Sequence, residues 1–228
     1  MGNIKLAIFD VAGTTAKDDG LVVQAFQDAI SASGFSSQEV EKMTEYVKAT
    51  MGQRKIDVFT YLCDGNVSRV ESMHEDFVSA YNSIVQHGFL EEFEGISHFF
   101  RELGACGVGI GITTGFPREI LDPILSGLAW NDLIDVSVAA SEVAQGRPAP
   151  DMVLRSVEIF NKMNESQISV NEVAVIGDTP SDVASGLSAQ AGLVIAVTSG
   201  AFERTQLETL GADYVLNFAT DAFELLTE

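Results

Sequence analysis

The chain has 228 residues, 46% of them hydrophobic and 20% charged, which suits one sizeable core with a smaller companion domain. Thirteen basic residues against 33 acidic ones give a formal charge of −20, which excludes a nucleic-acid or anionic-membrane partner and obliges any anionic substrate to find local positive charge. No apolar run approaches the roughly 20 residues that span a bilayer, and with a strand starting so near Met1 no secretory signal is expected. Cys63 and Cys106 have no metal-ligand spacing and read as packed free thiols, so a cytoplasmic protein is expected.

The first element is the apolar run Leu6-Ala7-Ile8-Phe9, a strand of the kind buried on both faces of a parallel sheet. It stops at Asp10, followed by Val11-Ala12-Gly13 and the hydroxyls of Thr14 and Thr15. A carboxylate at the end of a central strand lies where open α/β sheets bind ligands, although Asp is also common as a simple turn residue. The next stretch is helical. Val22, Phe26, Ala29 and Ile30 share one face, and Ser36 with Glu39 forms a capping box ahead of Val40, Met43 and Val47. Gly52 breaks the pattern before a helix carrying Ile56, Phe59 and Leu62, and Ser68 with Glu71 reads as a second capping box. No proline occurs before Pro117, which suits uninterrupted helices.

From Glu94 the rhythm alternates. A helix over 96–106 leads to a strand over 108–113, and Pro117 opens another helix. Strands over 134–139, 172–176, 193–197 and 214–216 follow, with helices after Pro150 and from Pro180. Alternation of this kind predicts an α/β fold, a Rossmann-like parallel sheet with helices on both faces. Residues 1–17 and 89–228 form that core, and residues 18–88 are a helical domain inserted after the first strand.

Three further strands end in polar residues. Thr113-Thr114-Gly115 offers hydroxyl and backbone donors to a phosphate-like group, or simply caps a helix. Arg147, between Gly146 and Pro148, is an anion anchor or a loop arginine. In Gly177-Asp178-Thr179-Pro180-Ser181-Asp182 two carboxylates lie at i and i+4. With Asp10 they make an oxygen-rich site suited to Mg²⁺. Carboxylates and an anionic substrate together would repel one another unless a divalent cation and Arg147 offset them. His74, His87 and His98 follow no ligand pattern.

Asp10, Thr114, Arg147, Asp178 and Asp182, in this order on successive strand ends, resemble the haloacid dehalogenase-like superfamily over the whole chain, inserted helical cap included. The resemblance implies that Asp10 attacks phosphorus to form an aspartyl-phosphate, while Thr114 and Arg147 bind phosphoryl oxygens. It further implies Mg²⁺ held by Asp10, the Ala12 carbonyl and Asp178, supported by Asp182. Most phosphatases of that superfamily carry a second Asp where this chain has Ala12, and that Asp protonates the leaving alkoxide. The segment Met51-Gly52-Gln53-Arg54-Lys55 resembles the Met-Gly-x-x-Lys segment of the phosphonoacetaldehyde hydrolases, which share the Asp-x-Ala-Gly-Thr-Thr motif. That resemblance implies that Lys55 forms an imine with a substrate aldehyde, so that carbon–phosphorus cleavage expels an enamine. Met51, Gly52, Arg54, Ala12 and Gly115 would line the substrate. Two positions depart from that branch: Val58 stands where it has a His, and Gly20-Leu21 where it has a Cys.

Three functions stay open at this stage. The first is a Mg²⁺-dependent hydrolase of a small phosphonate; the second is a phosphatase of a small phosphate monoester. The third is a catalytically idle protein that senses a metabolite. Lys55 must lose its proton to attack a carbonyl, so burial is expected to lower its pKa below about 10.4. Cap closure about hinges at 17–20 and 88–94 is expected, as is a homodimer through the cap.

Overall fold

Four residues set the layering. Leu6–Phe9 forms strand β1 with every side chain buried. Because successive side chains point to opposite faces, Leu6 and Ile8 pack into one apolar layer and Ala7 and Phe9 into another. In the computed structural model, which describes residues 3–88 and 90–228, β1 is followed by α1 (Leu21–Ala32), α2 (Ser37–Ala49), α3 (Lys55–Leu62) and α4 (Val67–Gln86). Then come α5 (Ile96–Ala105), β2 (Gly109–Thr114), α6 (Arg118–Gly127), β3 (Val136–Ala139), α7 (Asp151–Asn164), β4 (Val173–Gly177) and α8 (Pro180–Ala189). The chain ends with β5 (Leu193–Val197), α9 (Arg204–Leu207), β6 (Tyr214–Leu216) and α10 (Phe223–Thr227). Positions 1, 2 and 89, which fall within the expected core segments and one expected hinge, lie outside the described residues.

The six strands are all parallel, in the order β3-β2-β1-β4-β5-β6. The α/β Rossmann-like expectation is met. The order runs one way from β1 to β2 and the other way to β4, so β1 ends at the topological switch point where such sheets open a crevice. Phe9 packs against Phe99 and Phe100 of α5 at 5.8 and 5.2 Å between ring centres. Leu6 and Ile8 meet Met152, Val153 and Val157 of α7. A buried side chain of this size stabilises by about 1.5–3 kcal/mol, so both layers fix β1.

Helices α1 to α4 pack around Phe26, which lies 4.8 Å from Phe59 and 4.6 Å from Phe77, and this apolar cluster is continuous with the layer that holds Phe9. The two chain crossings into this unit run side by side. Lys17 donates its backbone N–H to the Glu91 carbonyl at 2.9 Å, and Phe93 donates to the Thr15 carbonyl at 3.0 Å. Among the described residues, no helix is long and apolar enough to cross a membrane.

Two local expectations need correction. The capping box at Ser36 and Glu39 forms, but Ser68 and Glu71 do not start α4. Asn66 does so two residues earlier, its side chain accepting from the Arg69 N–H at 3.2 Å, so Ser68 already lies inside the helix. Cys63 is buried, whereas Cys106 is exposed, because α5 ends at Ala105 and the next residue turns to solvent.

Candidate active site

The ends of β1, β2 and β4 converge. Asp10 leaves β1 hydrogen-bonded through its N–H to the Ile176 carbonyl of β4 at 2.9 Å. Asp178 follows β4 directly, and Asp182 lies one turn into α8. All three carboxylates are buried, and one oxygen of each lies within 4.8 Å of the others. Thr179, rather than Asp178, caps α8. Its hydroxyl and backbone N–H donate to Asp182 Oδ2 at 2.5 and 3.1 Å, so the cap itself turns Asp182 into the cluster.

Arg147 is the cation of this cluster. Its Nη1 lies 2.5 Å from Asp10 Oδ1 and 2.8 Å from Asp182 Oδ1, and its Nη2 donates to the Thr113 carbonyl and hydroxyl at 2.9 and 2.7 Å. Asp182 Oδ1 accepts no aligned hydrogen bond. Asp178 has no cationic partner within 4 Å among the described residues. It accepts from the Thr14 hydroxyl at 2.9 Å, and a Cβ on Gly200 would overlap its carboxylate. Burial, and then the charges of Asp10 and Asp182, hold Asp178 well above the ordinary carboxylate pKa. Burial also lifts Asp182 to about 6 although Arg147 opposes it. Three buried oxygen donors with one arginine between them leave negative charge uncompensated, and this donor set fits a hard divalent cation.

Lys55 opens α3 and reaches the site from the helical unit. It is buried, with its Nζ 3.4 Å from the Gln53 carbonyl and 5.0 Å from the centre of the Phe116 ring. Burial lowers its pKa to about 8, with Asp10 and Asp18 opposing and Arg147 assisting. The loop that delivers it is clamped to the core, because the Lys55 N–H donates to the Gly115 carbonyl at 3.2 Å. A Cβ on Gly115 would overlap the Gln53 carbonyl oxygen, and one on Gly52 would overlap the Thr179 hydroxyl. Both positions therefore need glycine for close approach.

The other expected residues divide. Ala12 and Met51 line a cavity of about 510 Å³ with Asp18, Asp178 and Gly200. Thr114 is buried at the end of β2, its hydroxyl oxygen accepting from the Phe116 N–H at 3.3 Å. Arg54 does not join the carboxylate cluster. Its guanidinium is taken up by both oxygens of Asp57 at 2.8 Å and by the carbonyls of Val143 and Ala144, so it clasps α3 to the β3–α7 loop, and with Lys55 and Gly115 it lines a separate cavity of about 210 Å³. Two strand-end hydroxyls serve buried charges of the site, and a third hydroxyl, on Ser199, is one to which the sequence alone assigned no role. Thr113 orients Arg147, Thr14 orients Asp178, and Ser199 donates to the Gly13 carbonyl at 2.7 Å. A signal for the last existed, since Thr198-Ser199-Gly200 repeats after β5 the hydroxyl-then-glycine pattern seen after β2.

Comparison with known proteins agrees with this geometry. The haloacid dehalogenase-like hydrolase family matches residues 7–197. Pyrophosphatase PpaX of Bacillus cereus is 22% identical over 225 residues, covering 98% of this chain and 97% of that protein. The phosphonoacetaldehyde hydrolase of Bacillus cereus is 28% identical over 202 residues, covering 82% of this chain and 73% of that protein. Among solved structures, the phosphonoacetaldehyde hydrolase-like protein from Oleispira antarctica superimposes with a TM-score of 0.83 at 21% identity, over 99% of this chain and 92% of that one.

Proposed function

Because the chain belongs to the haloacid dehalogenase-like hydrolase family, we propose that it is a Mg²⁺-dependent hydrolase of a small phosphonate. Asp10 takes the phosphoryl group and Lys55 forms an imine with a carbonyl in the organic half. The observation that carries this reading is Lys55: a buried lysine with a pKa of about 8, held at the seam between the helical unit and the carboxylate cluster. An ordinary surface lysine would be exposed and fully protonated at neutral pH. The similarity to phosphonoacetaldehyde hydrolase adds support.

The chemistry follows from the placement of these groups. Neutral Lys55 adds through Nζ to the substrate carbonyl, and loss of water leaves an iminium. Asp10 then attacks phosphorus, and the electron pair of the breaking carbon–phosphorus bond passes into the iminium to give an enamine. A proton donor for a leaving alkoxide is not needed at position 12, and Ala12 leaves that space to the substrate. Water hydrolyses the aspartyl-phosphate and the enamine in turn. Asp10, Asp178, Asp182 and the Ala12 carbonyl would hold Mg²⁺, which supplies charge neutralisation at the phosphoryl oxygens. Arg147, already 2.5 Å from Asp10, binds those oxygens with Thr114. The clamp of Gly52 and Gly115 excludes water from Lys55.

A second reading, hydrolysis of a small phosphate ester, draws on the full-length match to the pyrophosphatase and on Val58 in place of a histidine. One experiment separates the two: phosphate release by the Mg²⁺-loaded protein from phosphonoacetaldehyde, with sodium borohydride in a parallel sample. Turnover, borohydride inactivation and a mass increase on the Lys55 peptide support the imine route. No release from phosphonoacetaldehyde and no adduct, with release from a small phosphate monoester that is undiminished in Lys55→Arg, overturns it in favour of the ester reading.

A further inference from the structure

Tyr81 of α4 is fully buried, and its hydroxyl has no hydrogen-bond partner. An unpartnered buried hydroxyl costs about 1–3 kcal/mol relative to a satisfied one, so a phenylalanine here would be the more stable choice. The ring packs behind the residues around Lys55. It packs 4.6 Å from Phe116, the same ring that lies 5.0 Å from Lys55 Nζ. The charges of Asp18 and Asp10 both bear on the Tyr81 hydroxyl and, with burial, keep it a neutral phenol that donates. Asp18 itself is fixed by one oxygen, which accepts from the Val22 N–H at 2.9 Å. It also lines the cavity shared with Ala12 and Asp178. Neither Asp18 nor Tyr81 is hydrogen-bonded to the other or to Lys55 among the described residues, so the Tyr81 hydroxyl is a buried donor with no partner of its own.

We propose that the Tyr81 hydroxyl donates a hydrogen bond to an oxygen in the substrate's organic half, so that this site selects small phosphonates bearing an oxygen on the second carbon from phosphorus. The phosphonate class rests on the function proposed above; the donor role of Tyr81 does not. In an aldehyde substrate this bond would polarise the carbonyl that Lys55 attacks, a task no residue near Val58 performs.

The test uses binding rather than turnover. The Mg²⁺-loaded full-length protein is titrated calorimetrically with 2-hydroxyethylphosphonate and with ethylphosphonate, which lacks the oxygen. One net hydrogen bond corresponds to about a 3- to 10-fold preference for the hydroxylated compound in the wild type. In Tyr81→Phe that preference should disappear, with the ethylphosphonate affinity and the melting temperature no lower than in the wild type. A preference that survives in Tyr81→Phe overturns the proposal, as does its absence in the wild type or equal weakening of both compounds. A lost borohydride adduct with the preference intact would remove the imine and leave the Tyr81 assignment standing.

Discussion

The Arg147 guanidinium lies 2.5 Å from the Asp10 carboxylate with both side chains buried, so the residue proposed to attack phosphorus is also half of a buried ion pair. Removing one partner of such a pair strands the other. Arg147→Ala leaves Asp10 and Asp182 without their shared cation and is expected to destabilise the fold by about 3–5 kcal/mol. Arg147→Lys keeps the charge but loses the two hydrogen bonds to Thr113, and should fall between the two. Urea unfolding with chelator present measures both. An Arg147→Ala protein within about 1 kcal/mol of the wild type would show that the pair carries little of the local stability.

The pH dependence of Lys55 has a defined sign. Its pKa in the folded protein is about 8, below the ordinary lysine value, so the reactive neutral form increases as pH rises and saturates above that value. At pH 7 roughly one molecule in ten carries neutral Lys55. Borohydride trapping with phosphonoacetaldehyde should therefore accelerate about 5- to 10-fold between pH 7 and 9 and then level off. Asp18→Asn removes a neighbour that favours the charged form and should move the midpoint lower. A midpoint near 10 in the wild type would mean that Lys55 is solvated in solution.

The uncompensated carboxylates predict a stability linkage to divalent cation. At a Mg²⁺ concentration of 100 times Kd, the wild type should gain about 2.7 kcal/mol. Asp178→Asn retains an oxygen for the Thr14 hydroxyl and removes a carboxyl whose charged form burial, Asp10 and Asp182 all disfavour, so without metal it should be at least as stable as the wild type. Its gain from Mg²⁺ should shrink to less than half. Thermal melts at a series of Mg²⁺ concentrations read both effects, and an undiminished gain in Asp178→Asn would place the cation elsewhere.

Much of this site was legible before any coordinates. Leu6–Phe9 is apolar at every position and stops at a carboxylate, and the strands ending at Thr114 and Gly177 repeat that pattern; parallel pairing then brings the three ends together. What was not legible depends on long-range packing. Nothing local distinguishes Arg54 from Arg147. The first is drawn off by Asp57 three residues away, and the second reaches Asp10 across 137 positions. Tyr81 carries no local signal, and only the fold sets it against Phe116. The start of α4 was misplaced because Ser68 and Asn66 are both good caps, and Asn66 comes first.

The clamp between Gly115 and the loop carrying Lys55 yields the last prediction. In Gly115→Ala the new methyl meets the carbonyl oxygens of Gln53 and Gly52, which are backbone atoms and cannot rotate aside as a side chain would. The loop must move outward, stretching the 3.2 Å bond from the Lys55 N–H to the residue 115 carbonyl. The layers around β1 do not involve Gly115, so the sheet should fold normally, with an overall loss of about 1–3 kcal/mol. Lys55, displaced and wetted, should regain a more ordinary pKa, moving the midpoint of borohydride trapping upward. A misplacement of about 1 Å costs on the order of 10²-fold in rate, so kcat/KM for phosphonoacetaldehyde should fall by about that factor. Release of phosphate from p-nitrophenyl phosphate, whose leaving group needs neither an imine nor a proton, should fall far less. Equal losses on the two substrates would mean that the methyl disturbs Thr114 and the phosphoryl site, and that the clamp does not serve Lys55 in particular.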